Sequence, residues 1–229
     1  MLVSVKSTTE AAIVAAADGV TVVDVKDPSQ GSLGFAGAAV INNIAAEIAA
    51  DEKLFSVALG ELKDLDFYEI SRIQWAHVDF VKIGLSGFYQ NSCWRSELGD
   101  ALADIPSRVR RVLVLYVDQV DASVATDMIQ DAQETDLSVV LLDTFNKSQG
   151  NTFAHWTDDD VRRVFESAGR RTMTTVLAGS LGVADFPRVF QTSADLIGVR
   201  GAVCDGDRSG SLSKHRLDRL ISAYHEVRI

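Results

Sequence analysis

A chain of 229 residues, 47% of them hydrophobic, can bury a sizeable core and suits one large domain or two small ones. Its net charge of −10 argues against a nucleic-acid backbone or an anionic membrane as partner. No apolar run reaches the roughly 20 residues a bilayer span needs, and MLVSVKSTTE lacks a signal-peptide core, so a cytoplasmic location is expected.

In chain order, a β-branched run at Leu2–Val5 leads into a helical pattern at Thr8–Ala17, and Thr21–Val25 leads into Ala38–Ala50. Strands are then predicted at Leu54–Leu59 and Val78–Ile83, followed by a helix at Ser92–Ala103. Val112–Val117 precedes a helix at Val120–Glu134, and Ser138–Leu142 precedes one at Asp158–Ala168. Thr174–Ala178 and Leu196–Val199 complete the strands, and Lys214–Val227 is the last helix. Pro28, Pro106 and Pro187 fall near element ends, and no low-complexity linker divides the chain. This alternation predicts a single TIM-barrel domain over residues 1–229, an α/β (β/α)8 fold. An open doubly wound sheet is the alternative, but GxGxxG and GxxxxGK[ST] are both absent.

The chain has seven lysines against fifteen arginines, and three of the lysines stand at or just beyond apolar runs: Lys26 in VVDVKDP, Lys82 in DFVKIGLSG and Lys147 in LLDTFNK. An ammonium beside buried strands is costly unless its pKa falls or it finds a partner, and imine chemistry or proton transfer exploits that cost. Each lysine can also be a solvated strand end or a salt-bridge partner. Strand parity sharpens the choice, because alternate side chains face opposite sides. With Val23 and Val25 toward the helices, Asp24 and Lys26 point into the barrel; Lys82 points inward by the same rule, Tyr116 shares parity with Asp118, and Asp143 shares it with Val139 and Leu141. These polar groups gather at the C-terminal strand ends, where barrel enzymes keep their active sites.

The loops after strands 7 and 8, LAGSLG and GVRGAVCDGDRSGSL, are where many barrels hold a phosphate on backbone N–H groups. Gly179, Ser180, Gly201 and Ala202 are the candidate donors. Arg200 either adds charge to that phosphate or pairs with Asp24 or Asp195. The DPSQGSLG loop after Lys26, with Gln30, Gly31, Ser32 and Gly34, is either a substrate cover or an ordinary turn. Cys93 and Cys204 form no C-x-x-C pair, and His77, His155, His215 and His225 show no ligand spacing. Neither a disulfide framework nor a metal site is expected.

The strings DVKDPSQGSLG, VKIGLSG, LLDTFNKSQG, LAGSL and IGVRGAVCDGDRSG resemble the (5-formylfuran-3-yl)methyl phosphate synthase family of methanofuran biosynthesis, from about Val3 to the last helix. The resemblance implies condensation of two D-glyceraldehyde 3-phosphate molecules into the furan phosphate, with loss of one phosphate and two waters and no cofactor. It implies a Schiff-base lysine at Lys26, a proton acceptor at Lys82, and an aspartate and lysine at Asp143 and Lys147. Tyr116 and Asp118 are second candidates for proton relay. The expected partner is a small phosphorylated triose, and a homo-oligomer is compatible with the chain. Glu61 in ALGELKD departs from the family's aspartate after the strand 3 glycine, and NTFAHWTDDD extends the loop after Lys147. Two other readings use the same residues: a class I aldolase-type enzyme acting on another sugar phosphate, and a non-catalytic phosphosugar-binding barrel.

Overall fold

The computed structural model describes residues 1–132 and 135–227. Eight parallel strands close in sequence order into a barrel: β1 Leu2–Val5, β2 Val22–Val25, β3 Leu54–Glu61, β4 Phe80–Gly84, β5 Arg110–Tyr116, β6 Leu137–Asp143, β7 Thr174–Leu177 and β8 Leu196–Val199. Ser4 lies opposite Asp24 and Asp24 opposite Ser56, while Val3 opposite Val199 closes the ring. The strands read as nearly continuous apolar runs because helices cover one face and the barrel interior the other. Leu2, Val22, Phe80, Val112, Val139, Leu141, Val176 and Leu196 line the barrel interior with Ser56 and Thr174, leaving a space of only about 30 Å³ beside Lys82. That end is a filled core, so inward polar side chains collect at the opposite, C-terminal end.

The helices are α1 Thr8–Ala15, α2 Ala38–Glu47, α3 Phe67–Ser71, α4 Trp94–Leu102, α5 Ala122–Asp131, α6 Thr152–His155, α7 Asp158–Gly169, α8 Phe186–Val189 and α9 Lys214–Val227. In α7, Val161, Val164, Phe165 and Ala168 recur at helical spacing and are buried. Its start is fixed by a capping box: Thr157 Oγ1 accepts the Asp160 N–H at 3.2 Å, and the Asp160 carboxylate accepts the Thr157 N–H at 3.1 Å.

Helix α5 begins two residues later than periodicity predicts, and the predicted end at Glu134 lies outside the described residues. The short helices α3, α6 and α8 escape prediction because four or five residues carry no readable period. Strand β3 runs on to Glu61 through an irregularity between Ala58 and Glu61, with Gly60 at φ +98°. Such a bulge turns the next side chain to a new direction. No described helix is long and apolar enough to cross a membrane.

Candidate active site

A cavity of about 560 Å³ opens at the C-terminal end of the barrel, lined by Asp24, Lys26, Lys82, Asp143, Lys147, Gly179, Ser180, Arg200, Gly201, Ala202 and Arg208, among others. Strand alternation brings Asp24, Lys82 and Asp143 together from β2, β4 and β6, and Lys26 joins them from the residue after β2.

Lys26 follows β2, held by its N–H to the Val5 carbonyl at 3.1 Å. Its side chain is buried, and its Nζ takes no hydrogen-bond partner among the described residues. Burial lowers its pKa to about 7; Asp143 and Asp24 oppose the shift, and Lys147 and Lys82 add to it. The result is a lysine that is substantially neutral, hence nucleophilic, near neutral pH.

The flanking groups are paired. Lys82 forms a buried ion pair with Asp24, whose other oxygen accepts the Ser4 hydroxyl at 2.8 Å. Burial would raise the Asp24 carboxyl, but the Lys82 and Lys26 charges outweigh it and hold the group below the usual carboxylate range. Asp143 repeats the arrangement: its Oδ1 accepts Lys147 Nζ at 2.5 Å and the Thr144 N–H at 2.8 Å. Burial pushes it up, and the Lys147 and Lys26 charges pull it down further. Burial also lowers Lys147, against the pull of Asp143. The site thus holds two carboxylates, two paired ammonium groups and one unpaired amine, a set able to form an imine and move protons around it.

Tyr116 and Asp118 lie outside this cavity. Tyr116 is fully buried, and its hydroxyl donates to Glu61 Oε1 at 2.6 Å, while its ring packs edge-on to Phe145. Asp118 accepts the Phe145 and Asn146 N–H groups, each at 2.7 Å, and so pins the loop that carries Lys147.

Arg200 corrects the sequence expectation most plainly, because neither Asp24 nor Asp195 is its partner. All five of its N–H donors are engaged: Ser4 O, Arg208 O, Gly210 O and both oxygens of buried Glu10, the shortest at 2.5 Å. A guanidinium with no spare donor is a clamp and has no free hydrogen bond for a phosphate. Asp195 instead accepts the N–H and hydroxyl of Thr175 at 2.8 and 2.9 Å.

Gly179, Ser180, Gly201 and Ala202 do line the cavity. Gly179 has φ +92°, and a Cβ there would collide with Thr152 Oγ1. Gly201 and Ala202 open a 3-10 turn, where the first N–H groups have no partner within the turn.

Glu10 and Arg208 are not singled out in the sequence, and Ser32 and Glu61 are singled out there without their partners. Glu10 hides in STTE, which looks like a capping box, but its carboxylate accepts Lys6 N–H and Leu212 N–H besides Arg200. Ser32 brings the DPSQGSLG loop onto the site: its hydroxyl lies 3.1 Å from Asp143 Oδ2 and 3.0 Å from the Thr144 carbonyl. No local pattern announces that contact. Arg208 lines the cavity with one donor on the Gly31 carbonyl at 3.0 Å and its other N–H groups without partners among the described residues. A basic residue on the strand 8 loop was the available signal. Glu61, at the β3 bulge, also accepts the Ser86 N–H at 3.1 Å, and burial raises its carboxyl.

Solved structures share the architecture. A 3-hexulose-6-phosphate synthase superposes with a TM-score of 0.60 at 15% identity, covering 99% of this chain and 98% of that one. A thiamine phosphate pyrophosphorylase from Pyrococcus furiosus gives 0.60 at 13%, covering 99% and 95%. At such identities the likeness shows the barrel fold alone. In sequence, the chain is 28% identical over 221 residues to (5-formylfuran-3-yl)methyl phosphate synthase of Methanosarcina mazei, covering 93% of this chain and 94% of that protein. The protein of the same name from Methanopyrus kandleri is 29% identical over 231 residues, covering 93% of each. The family described as 4-HFC-P synthase matches residues 1–221, and the chain belongs to that family of enzymes.

Proposed function

We propose that this protein condenses two molecules of D-glyceraldehyde 3-phosphate into (5-formylfuran-3-yl)methyl phosphate, through an imine on Lys26. The observation that carries the reading is the unpaired, buried Lys26 amine with its pKa at about 7, set between two buried carboxylate–lysine pairs. Family membership supports the product. The atoms balance: two triose phosphates lose one phosphate and two waters to give the furan phosphate, with no net oxidation.

Lys26 Nζ attacks one aldehyde, and water leaves as the protonated imine forms. The imine takes up the electron pair released when the neighbouring carbon loses its proton, and that carbon bonds to the second triose. Lys82, held by Asp24, is the proton-transfer partner. Asp143 and Lys147 serve the eliminations that follow. The backbone donors of Gly179, Ser180, Gly201 and Ala202 hold the phosphate that stays in the product. Arg208, with its unpaired donors, meets the phosphate that leaves, beside Lys147. A class I aldolase would stop after carbon–carbon bond formation, whereas the surplus of acid–base groups here favours a reaction with eliminations.

Incubation with glyceraldehyde 3-phosphate, followed by ultraviolet and mass detection, is the test. A furan phosphate with one equivalent of free phosphate is expected. An ordinary six-carbon sugar phosphate as the end product would make the protein an aldolase.

A further inference from the structure

The two halves of this barrel repeat one another. At one constant spacing along the chain, Asp24, Ser29, Gln30, Gly31, Gly60, Asp66 and Phe67 recur as Asp143, Ser148, Gln149, Gly150, Gly179, Asp185 and Phe186. The backbone repeats with them. In the turn after β2, the Asp27 carboxylate accepts the Ser29 N–H at 2.9 Å and its hydroxyl at 2.7 Å; in the turn after β6, Asn146 Oδ1 accepts the same groups of Ser148 at 3.1 and 2.7 Å. Gly31 closes the first turn at φ 106° and Gly150 the second at φ 105°. Gly60, next to last in β3, and Gly179, two residues past β7, have φ +98° and +92°.

At the following position the halves differ in charge and in backbone, with Glu61 extended at φ −87° and Ser180 at φ +56°. Where the second half has Ser180, the first has Glu61. Asp79 and Asp195 precede β4 and β8, each accepting an N–H of the preceding strand at 2.8 Å, from Phe55 and Thr175. Counting from these aspartates, Ser86 in the first half matches Ala202 in the second. The Glu61 carboxylate accepts the Ser86 N–H at 3.1 Å, the counterpart of one of the amides assigned to the phosphate. Gly84 leaves it room, since a Cβ there would collide with the carboxylate, and the Tyr116 hydroxyl adds a second donor at 2.6 Å.

We propose that the β3–β4 rim is the counterpart of the phosphate-binding β7–β8 rim, closed by the Glu61 carboxylate, which takes the place of the phosphate oxygens. The inference rests on the reading of the β7–β8 rim as a phosphate site. It explains why a barrel with two matched halves presents only one such rim to a phosphate monoester. The carboxylate satisfies the amide and repels a second dianion. The two trioses therefore bind inequivalently, one by its phosphate at β7–β8 and the other with its phosphate toward Lys147 and Arg208.

The test uses the whole protein labelled with nitrogen-15, with inorganic phosphate as the probe and the backbone amide resonances of Ser86 and Ala202 as reporters. In the parent protein Ala202 shifts saturably and Ser86 does not. In Glu61→Ser, which installs the residue of the matched position, Ser86 also shifts saturably. Glu61→Ala, which removes the carboxylate and adds no donor, gives the same Ser86 response and serves if Glu61→Ser does not fold. A Ser86 response in the parent protein overturns the proposal. So does a silent Ser86 in folded Glu61→Ser or folded Glu61→Ala. A parent protein whose Ala202 and Ser180 amides both ignore phosphate instead removes the β7–β8 phosphate reading.

Discussion

The reactivity proposed for Lys26 comes from the absence of a partner. Its neighbours Lys82 and Lys147 are each tied to a carboxylate, while its own Nζ has none. Burial then sets the pKa, and the rate of borohydride-trapped imine formation should rise as pH passes through about 7 and level off above it. Lys26→Arg keeps a cation that cannot deprotonate in this range, so trapping and furan formation should both be lost. A trapped adduct on Lys82 or Lys147 of the parent protein would reassign the imine. Asp143→Asn separates imine from elimination. General acid–base groups contribute roughly 10²–10⁴-fold, so furan formation should fall by about that factor while Lys26 is still trapped. Unchanged furan output would make Asp143 a structural partner of Lys147 and Ser32.

At the scale of elements, the Arg200–Glu10 clamp joins the end of β8, the start of α1 and the loop carrying Arg208 and Gly210. Both side chains are buried, so removing one partner leaves an uncompensated charge. Glu10→Gln should cost about 3–5 kcal/mol. In a chain of this size each kcal/mol lowers Tm by about 2–4 °C. Calorimetry reads that loss directly. A Tm unchanged in Glu10→Gln would mean that the five hydrogen bonds of Arg200 do not hold the rim together. The capping box of α7 is a smaller case: Thr157→Ala should cost about 1 kcal/mol.

For the whole molecule, the depressed pKa of Lys26 ties stability to pH. The folded chain releases the Lys26 proton near pH 7, while the unfolded chain keeps it up to lysine's ordinary range. Between those limits the unfolded state binds more protons, so this residue makes stability rise with pH and contributes no further change above that range. Denaturant unfolding of the parent protein and Lys26→Met at a series of pH values isolates the effect. The parent should gain relative to Lys26→Met from pH 7 upward, and parallel curves would show that folding leaves the Lys26 pKa at its ordinary value.

The barrel and the inward set Asp24, Lys82 and Asp143 are legible in the chain, because both depend on local periods, whereas Lys26 stands one residue past β2 and owes its direction to the turn. Strand alternation has a period of two, so a residue's face follows from its neighbours'. The tertiary structure decided who meets whom. Arg200 pairs with Glu10, 190 residues away, and Ser32 reaches Asp143 across 111 residues. No period relates such positions; their meeting follows from how the loops fold over the closed barrel. Asp118 shows the same limit, since its parity matches Tyr116 yet it points to backbone amides of the next loop. Parity holds only while the strand lasts, and β5 ends at Tyr116. Beyond a strand's last residue, direction is set by turn geometry and by whichever unpaired N–H groups lie within reach.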